Sequence, residues 1–279
     1  MNNKPLVSVI VPTKNSEPTI GACLKSIKQQ TYKDIEIIVV DNNSLDKTKK
    51  IVDDFKISLY NKGPERSAQR NFGALRSKGE YLLFIDSDMK LSNTVVVDCV
   101  NKLKTKNLKR KLGGIIIPEE SFGEGFWARC KALERSFYFG VDWIEAARFF
   151  PKSIFYEFKG YDEKQTGTED FDLPQRIKAK LGQESILRIR SLIYHNEGKL
   201  QLGYTLKKKY YYAKTAKTYA KVKTNSEYFR KQSSILERYK IFLSHPIKLF
   251  KDPVLGLGML FMKTLEFIAG GIGYIMNIR

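Results

Sequence analysis

The first ninety residues alternate between short apolar runs and segments of helical spacing, and that alternation restricts the chain to few folds. Leu6–Val11, Ile35–Val40, Ile57–Tyr60 and Tyr81–Ile85 read as strands rich in β-branched and aromatic residues. Residues 18–30, with Ile20, Leu24 and Ile27 at helical spacing, read as a helix, as do 46–55 and 67–77. A β-α-β-α-β-α-β order needs crossover connections, so it predicts a mostly parallel sheet with right-handed crossovers. The run from Tyr81 to Ile85 is apolar without a break, as expected of a parallel strand buried on both faces.

Three of these strands stop at polar residues: Thr13, Asp41 and Asp86. One such stop is ordinary. Three at one sheet edge describe a nucleotide crevice, because open α/β sheets bind ligands at the carboxyl ends of their strands. No Gly-x-Gly-x-x-Gly follows the first strand and no Walker A loop is present, so dinucleotide and P-loop folds are disfavoured. Asp86-Ser87-Asp88 offers two hard carboxylates that can share a divalent cation with a polar ligand. An isolated Asp-x-Asp is more often a solvated turn; the preceding strand and its two companions set this one apart.

The formal net charge is +19 over 279 residues, which points to an anionic partner: nucleic acid, an anionic membrane surface or a phosphorylated substrate. Cys23, Cys99 and Cys130 are far apart and lack metal-ligand spacing, so they read as free thiols of a reducing compartment. Only two histidines occur, His195 and His245, which excludes a multi-histidine metal site. Met1-Asn2-Asn3-Lys4 leads directly into the first strand without a signal-peptide pattern.

Much of the charge lies late in the chain. Between Lys199 and Lys251 there are fourteen Lys or Arg against Glu227 and Glu237, with seven tyrosines interleaved. Basic helices with aromatics suit RNA or an anionic membrane. Asp252 and Pro253 then read as the cap and first residue of a helix whose body, 254–278, is almost wholly apolar. It is long enough to cross a bilayer, but Lys263 and Glu266 near its middle would each cost roughly 2–3 kcal/mol there. Gly256, Met259, Lys263, Glu266, Gly270, Gly273 and Asn277 recur at spacings of three and four, forming a small-or-polar stripe on an apolar cylinder. The expectation is a helix that lies in the membrane interface, or turns this stripe to the enzyme while lipid covers the rest.

Six ordered stretches carry a resemblance to the GT-A glycosyltransferases of family 2. They begin with Val9-Ile10-Val11-Pro12-Thr13-Lys14-Asn15, Val39-Val40-Asp41-Asn42-Asn43-Ser44 and Ala68-Gln69-Arg70-Asn71-Phe72-Gly73-Ala74. Phe84-Ile85-Asp86-Ser87-Asp88 follows, then Phe158-Lys159-Gly160-Tyr161-Asp162-Glu163 with Thr168-Glu169-Asp170-Phe171-Asp172-Leu173. The chain departs from the pattern at Asn42-Asn43, where Asp-Gly is usual. It also lacks the Gln-x-x-Arg-Trp motif of processive synthases, which argues for transfer of a single sugar.

The resemblance implies an α/β fold of GT-A type, a Rossmann-like mostly parallel sheet flanked by helices, over residues 1–200. Residues 201–279 would form a basic helical extension ending in a membrane-associating helix, 253–278. It implies Mn²⁺ or Mg²⁺ held by Asp88 and Asp86, with His195, read here at the end of a strand Leu187–Tyr194, as a candidate further ligand. A lone histidine is more often structural. Pro12, Thr13, Asn15, Glu17, Asp41, Asn43, Arg70, Asp86, Ser87 and Asp88 would bind the nucleotide sugar, with Asp41 accepting from the base. Asp170 would be the general base, with Glu169 second or binding donor or acceptor sugar. From spacing alone, Asp170 is equally suited to cap the helix that starts at Phe171. Trp127, Arg129, Tyr138, Trp143 and Arg148 fall where this family faces its acceptor, although ordinary packing accounts for most single aromatics.

The reading is an inverting, metal-dependent transferase moving one sugar from UDP- or GDP-sugar to a lipid-linked or glycolipid acceptor. It would work at the cytoplasmic face of the membrane, peripheral or monotopic, without nucleic acid. A polyprenyl-phosphate sugar synthase is the near rival. A non-catalytic nucleic-acid-binding protein is the rival from another class.

Overall fold

The computed structural model describes residues 4–104, 111–165, 167–221 and 226–276. The chain divides into two compact units. The first comprises Met1–Pro118, Ala146–Glu163 and Glu169–Tyr194; the second comprises Glu119–Glu145, Lys164–Thr168 and His195–Arg279. The basic C-terminal stretch therefore shares its unit with residues 119–145.

In the first unit the chain runs through β1 (Val7–Thr13), α1 (Ile20–Lys28), β2 (Ile35–Asp41), α2 (Thr48–Asp54), β3 (Ser58–Asn61), α3 (Arg66–Arg76) and β4 (Tyr81–Phe84). β5 (Met89–Leu91), α4 (Val95–Lys104) and β6 (Gly114–Ile116) follow. After β7 (Glu119–Glu124) and α5 (Gly125–Ser136) of the second unit, the chain returns with β8 (Ala147–Pro151), α6 (Lys152–Glu157), α7 (Glu169–Leu181) and β9 (Ile186–Arg188).

A seven-stranded sheet has the order β3-β2-β1-β4-β8-β6-β9. β3, β2, β1 and β4 are mutually parallel, as the alternation predicts, and β8 is antiparallel to both β4 and β6. All seven residues of β1 are buried, as its central place demands. One apolar cluster covers each face of the sheet's residues: Val9, Val11, Val39, Leu83 and Ile85 belong to one, Ile10, Ile38, Val40, Leu82 and Phe84 to the other. The alternation of odd and even positions is the two-residue period of a strand.

Helix α3 lies close to the sheet because Gly73 has no side chain. A Cβ there would stand 2.5 Å from Ile10 Cγ2 and 3.3 Å from Val40 Cγ2. Ile10 is β-branched and fully buried, so it cannot rotate away. Gly73→Ala gains up to ~1 kcal/mol of helix propensity. It loses about 1–3 kcal/mol to overpacking, so we expect a net fall in melting temperature by calorimetry.

The second unit holds β7, paired with β10 (Ile193–Lys199), whose residues from His195 on belong to this unit, and α5. It continues with α8 (Leu202–Lys221), α9 (Ser226–Ser233), α10 (Ile235–Leu243), α11 (Pro246–Leu249) and α12 (Pro253–Ile275). The Asp252 side chain accepts from Leu255 N at 3.0 Å and Pro253 is the first helical residue, as expected from sequence. The buried residues of α12 are Gly256, Met259, Met262, Lys263, Glu266 and Gly273. Five of these belong to the anticipated stripe; Gly270 has no neighbour within 4 Å of its Cβ position, and Asn277 lies outside the described residues.

The glycines admit close backbone approach. A Cβ on Gly256 would meet Leu249 O at 2.3 Å, and one on Gly273 would meet Tyr210 O of α8 at 2.4 Å. Cys130, Phe137, Phe242, Leu249, Met259 and Met262 form the apolar centre. Beside it Lys131 and Glu134 of α5 meet Lys263 and Glu266 of α12 in an alternating ring. Lys131 Nζ lies 2.5 Å from both Glu134 and Glu266, and Lys263 Nζ lies 2.7 Å from Glu134 and 3.0 Å from Glu266. Burial alone would raise the Glu134 carboxyl; the two lysines outweigh it and hold the group well below the carboxylate range.

Candidate active site

The site is built at the carboxyl edge of β1, β2 and β4. Parallel register sets Thr13 directly opposite Asp41, and Thr13 Oγ1 donates to Asp41 Oδ1 at 2.9 Å. Ser44 N donates to Asp41 Oδ2 at 2.8 Å and Ser44 Oγ to Asp41 Oδ1 at 2.5 Å. Asp41 is only 1% exposed, so its first role is to hold this loop closed.

The two loops after β1 and β2 are laced together. Asn15 N donates to Ser44 Oγ at 2.8 Å, Leu45 N to Asn15 Oδ1 at 2.9 Å, and Glu17 N to Asp46 Oδ2 at 3.0 Å. Asn15 (φ 48°) and Asn43 (φ 49°) both adopt the left-handed conformation that asparagine tolerates better than most residues. Ser16 Oγ meets Ser87 Oγ at 2.8 Å, which ties the first loop to the Asp86-Ser87-Asp88 segment.

Gln69 pins the start of α3 to the same edge, its Nε2 donating to Thr13 O at 2.9 Å and to Val40 O at 2.6 Å. Arg66 and Arg70, one turn apart, then lie over the ends of the strands. Arg70 has no exposed side-chain surface. Its Nη2 donates to Asp86 Oδ1 at 2.6 Å, and its Nη1 to Asp170 Oδ1 at 2.6 Å and Glu169 Oε1 at 3.5 Å. The Tyr161 ring covers the guanidinium at 5.3 Å. Arg70, expected from sequence among the ligand-binding residues, is here a buried hub joining three carboxylates.

Arg66, which sequence reasoning passed over, is 38% exposed and lies 3.8 Å from Asp86 and 3.4 Å from Glu169. Its position one turn before Arg70 was the available signal. Arg148 also reaches the cluster, 3.7 Å from Asp86 and 4.0 Å from Asp170. The antiparallel direction of β8 explains this. Leu83 pairs with Phe149 and Leu82 with Phe150, so the residue before Phe149 lies towards the carboxyl end of β4.

Asp170 is the second residue of α7, not its cap, and gives its carboxylate to Arg70. The acids of this first turn also suit the positive end of the helix. Asn71 fixes the turn leading up to Glu163: its Oδ1 accepts from Tyr161 N at 3.0 Å and its Nδ2 donates to Tyr161 O at 2.8 Å and Glu163 Oε1 at 3.0 Å.

Electrostatics separate the carboxylates. Burial would raise the Asp86 carboxyl, but Arg70, Arg148 and Arg66 outweigh it and hold the group far below the carboxylate range. Glu169 moves the other way, raised by burial and then by the Asp170 charge, against Arg70 and Arg66. Glu169 is 1% exposed and Asp170 is 19% exposed, so Asp170 is the more reachable of the pair. Burial, then the charges of Asp88 and Asp86, push the Cys23 thiol up, so this cysteine is inert. All three cysteines are free, as expected, and they are buried.

Among the described residues no three of His, Cys, Asp and Glu are grouped to hold a metal ion. His195 lies within β10 and not at the end of a strand, because residues 189–192 interrupt the expected Leu187–Tyr194 run. Its Nδ1 is 3.9 Å from Glu119 and 4.0 Å from Glu197, two carboxylates that Arg135 also bridges. The donor chemistry at Asp88 nonetheless fits Mg²⁺ or Mn²⁺. Such ions often take one or two protein carboxylates and complete their shell with substrate phosphates and water. Asp88 supplies a hard carboxylate with one oxygen buried, while both Asp86 oxygens face arginine.

The remaining acceptor-region candidates have their contacts inside the second unit. Trp127 stacks on Phe261 at 6.3 Å, and Arg129 pairs with Asp252 at 3.5 Å. Tyr138 donates to Glu134 Oε1 at 2.5 Å, and Arg238 lies over the Tyr138 and Trp143 rings at 4.8 and 5.0 Å.

A mostly parallel sheet with this carboxylate and arginine edge defines a GT-A fold. The mannosyltransferase PcManGT from Pyrobaculum calidifontis, solved with GDP-Man and Mn²⁺, superposes with a TM-score of 0.67 at 15% identity, over 100% of this chain and 89% of that one. The glycosyl transferase family 2 model matches residues 8–168, and the chain belongs to that family. A GalNAc(5)-diNAcBac-PP-undecaprenol β-1,3-glucosyltransferase of Campylobacter jejuni is 30% identical over 59% of this chain and 57% of its own length. The Escherichia coli UDP-Glc:α-D-GlcNAc-diphosphoundecaprenol β-1,3-glucosyltransferase WfaP is 34% identical over 37% of this chain and 43% of its own. These matches thus span about half the length of the curated relatives.

Proposed function

We propose that the protein transfers one sugar from a UDP- or GDP-sugar to a hydroxyl of a lipid-linked, polyprenyl-type acceptor, with inversion at the anomeric carbon. The observation that carries this reading is the grouping of Asp86, Glu169 and Asp170 around Arg70 at the strand ends, with Arg66 and Arg148 beside them. Family membership and the named relatives, two of which act on undecaprenyl-diphosphate-linked sugars, support the substrate class.

The acceptor oxygen forms a bond to the anomeric carbon while the bond from that carbon to the β-phosphate oxygen breaks. The acceptor proton passes to Asp170, the carboxylate of the pair that solvent reaches. Arg70 holds Asp170 in orientation from behind, and Asp86 fixes Arg70 in turn. Arg66, partly exposed, is placed to meet the charge that grows on the leaving diphosphate. The loops around Thr13, Asn15, Asp41 and Asn43 hold the base and ribose. A divalent ion at Asp88 would supply Lewis-acid neutralisation of the diphosphate. The enzyme would act at the cytoplasmic face of the membrane through its C-terminal helices.

The test offers labelled UDP- and GDP-sugars with two acceptors, a polyprenyl-diphosphate-linked sugar and a bare polyprenyl phosphate. Label moving to the first supports the proposal. Label moving only to the second makes the protein a polyprenyl-phosphate sugar synthase, and transfer to neither overturns both readings.

A further inference from the structure

Helix α12 is inside out for a water-facing helix. Its two charged residues, Lys263 and Glu266, are buried in the ring with Lys131 and Glu134. Its exposed side carries Val254, Leu257, Phe261, Ile268, Ile272 and Ile275, each between 48% and 69% exposed. At 3.6 residues per turn these six fall within about 60° of arc, on the side opposite the buried residues. Among the described residues of the helix no charged one lies on that side. Water gains nothing from such a face, and a continuous apolar patch of this kind marks an interaction surface.

We infer that a lipid bilayer covers this face, and that α12 lies along the membrane surface with one side in the hydrocarbon boundary rather than crossing it. This deepens the membrane action proposed above by assigning the surface that meets lipid. Two observations fix the occupant and the orientation. Exposed lysines flank the helix in the chain and on its neighbour: Lys251 stands two residues before it, and Lys240 follows Tyr239 on α10, between exposed Leu236 and Leu243. Tyr239 of α10 in turn bonds Leu260 O of α12 at 3.2 Å. Cations at the border of an apolar strip match anionic headgroups.

The second observation concerns crossing. α8 approaches the α12 backbone at Gly273, and α5 is bound through the charged ring. A perpendicular α12 would draw both neighbours into hydrocarbon, including the exposed Lys207, Lys208 and Lys209 of α8. Pulling α12 free of them would leave Lys131 and Glu134 only each other, stripped of Glu266 and Lys263. Lying flat satisfies both faces at once.

The experiment uses the full chain, whose three native cysteines are buried. An environment-sensitive fluorophore is attached in turn to Leu257→Cys, Phe261→Cys, Ile268→Cys and Ile272→Cys, with Leu75→Cys, 68% exposed in the first unit, as control. With phosphatidylglycerol vesicles, all four emissions shift to the blue and are quenched alike by a shallow lipid quencher, while position 75 stays unchanged. Lys240→Gln/Lys251→Gln weakens binding to these vesicles about thirtyfold and leaves binding to neutral vesicles unaltered.

A depth gradient from 257 to 272 would show a crossing helix and overturn the inference. Blue shifts without vesicles, with a doubled mass in sedimentation, would assign the face to a second copy of this chain and also overturn it. Absence of any shift would overturn it outright. Donor binding by thermal shift, run on the same samples, is independent of each outcome, so failure of the membrane face and failure of the glycosyltransferase reading are told apart.

Discussion

Asp170→Asn is expected to lower kcat by about 10²–10⁴ while leaving the donor KM nearly unchanged. The asparagine keeps the shape and can still accept from Arg70, whose Nη1 lies 2.6 Å from Asp170 Oδ1. It cannot take a proton from the acceptor hydroxyl. Glu169→Gln is the contrasting substitution. Glu169 is buried and its carboxyl is raised by burial and by the Asp170 charge, so neutralising it relieves a like-charge contact. Rates measured at saturating donor check both. Full activity in Asp170→Asn would remove the base and favour a phosphate acceptor, which is already ionised.

Arg70→Met carries the largest expected effect on stability. Its guanidinium is fully buried and bonds Asp86 and Asp170 at 2.6 Å each. Removing one partner of a buried ionic network costs about 3–5 kcal/mol, because the remaining charges stay desolvated. Arg66 and Arg148 remain near these carboxylates and set the loss towards the lower end. For a chain of this size the melting temperature should fall by roughly 10 °C. Arg70→Lys should recover little, since an ammonium cannot span two carboxylates as a planar fork does.

Acid should remove the same contribution. Asp86 has its folded pKa depressed below the unfolded value. Its stabilisation is therefore present above about pH 4 and is lost as pH falls further. Glu169, with its pKa raised, works against this by becoming neutral in the folded state first. Calorimetry between pH 3 and 7 should show a steeper acid loss for the wild type than for Arg70→Met.

What was legible in the sequence was governed by local pattern. β1, β2 and β4 are unbroken apolar runs, and their boundaries differ from the reading by one or two residues. The polar stops at Thr13, Asp41 and Asp86 do share one edge, because parallel register aligns strand ends. The stripe on α12 was legible because charge inside an apolar helix must find partners; that the partners are Lys131 and Glu134 was not, since nothing local links α5 to α12. Arg70 illustrates the same limit: an arginine on a helix looks exposed until three carboxylates, one from the loop after β4 and two from α7, converge on it. Arg148 depended on β8 running antiparallel, a property of topology and not of its own residues. His195 was placed by analogy with a strand end, and a break in that strand moved it into the middle of β10.

The central claim is a nucleotide-sugar site at the strand ends that uses Asp88. The most direct measurement is a thermal-shift panel of UDP, GDP and their sugars, with and without Mn²⁺, on wild type and Asp88→Ala. A ligand at a hundred times its Kd stabilises the fold by about 2.7 kcal/mol, a rise of roughly 5–10 °C here. The account predicts a Mn²⁺-dependent rise with one of the two nucleotides that disappears in Asp88→Ala. A flat response of the wild type to every nucleotide, or an equal rise in Asp88→Ala, would contradict it.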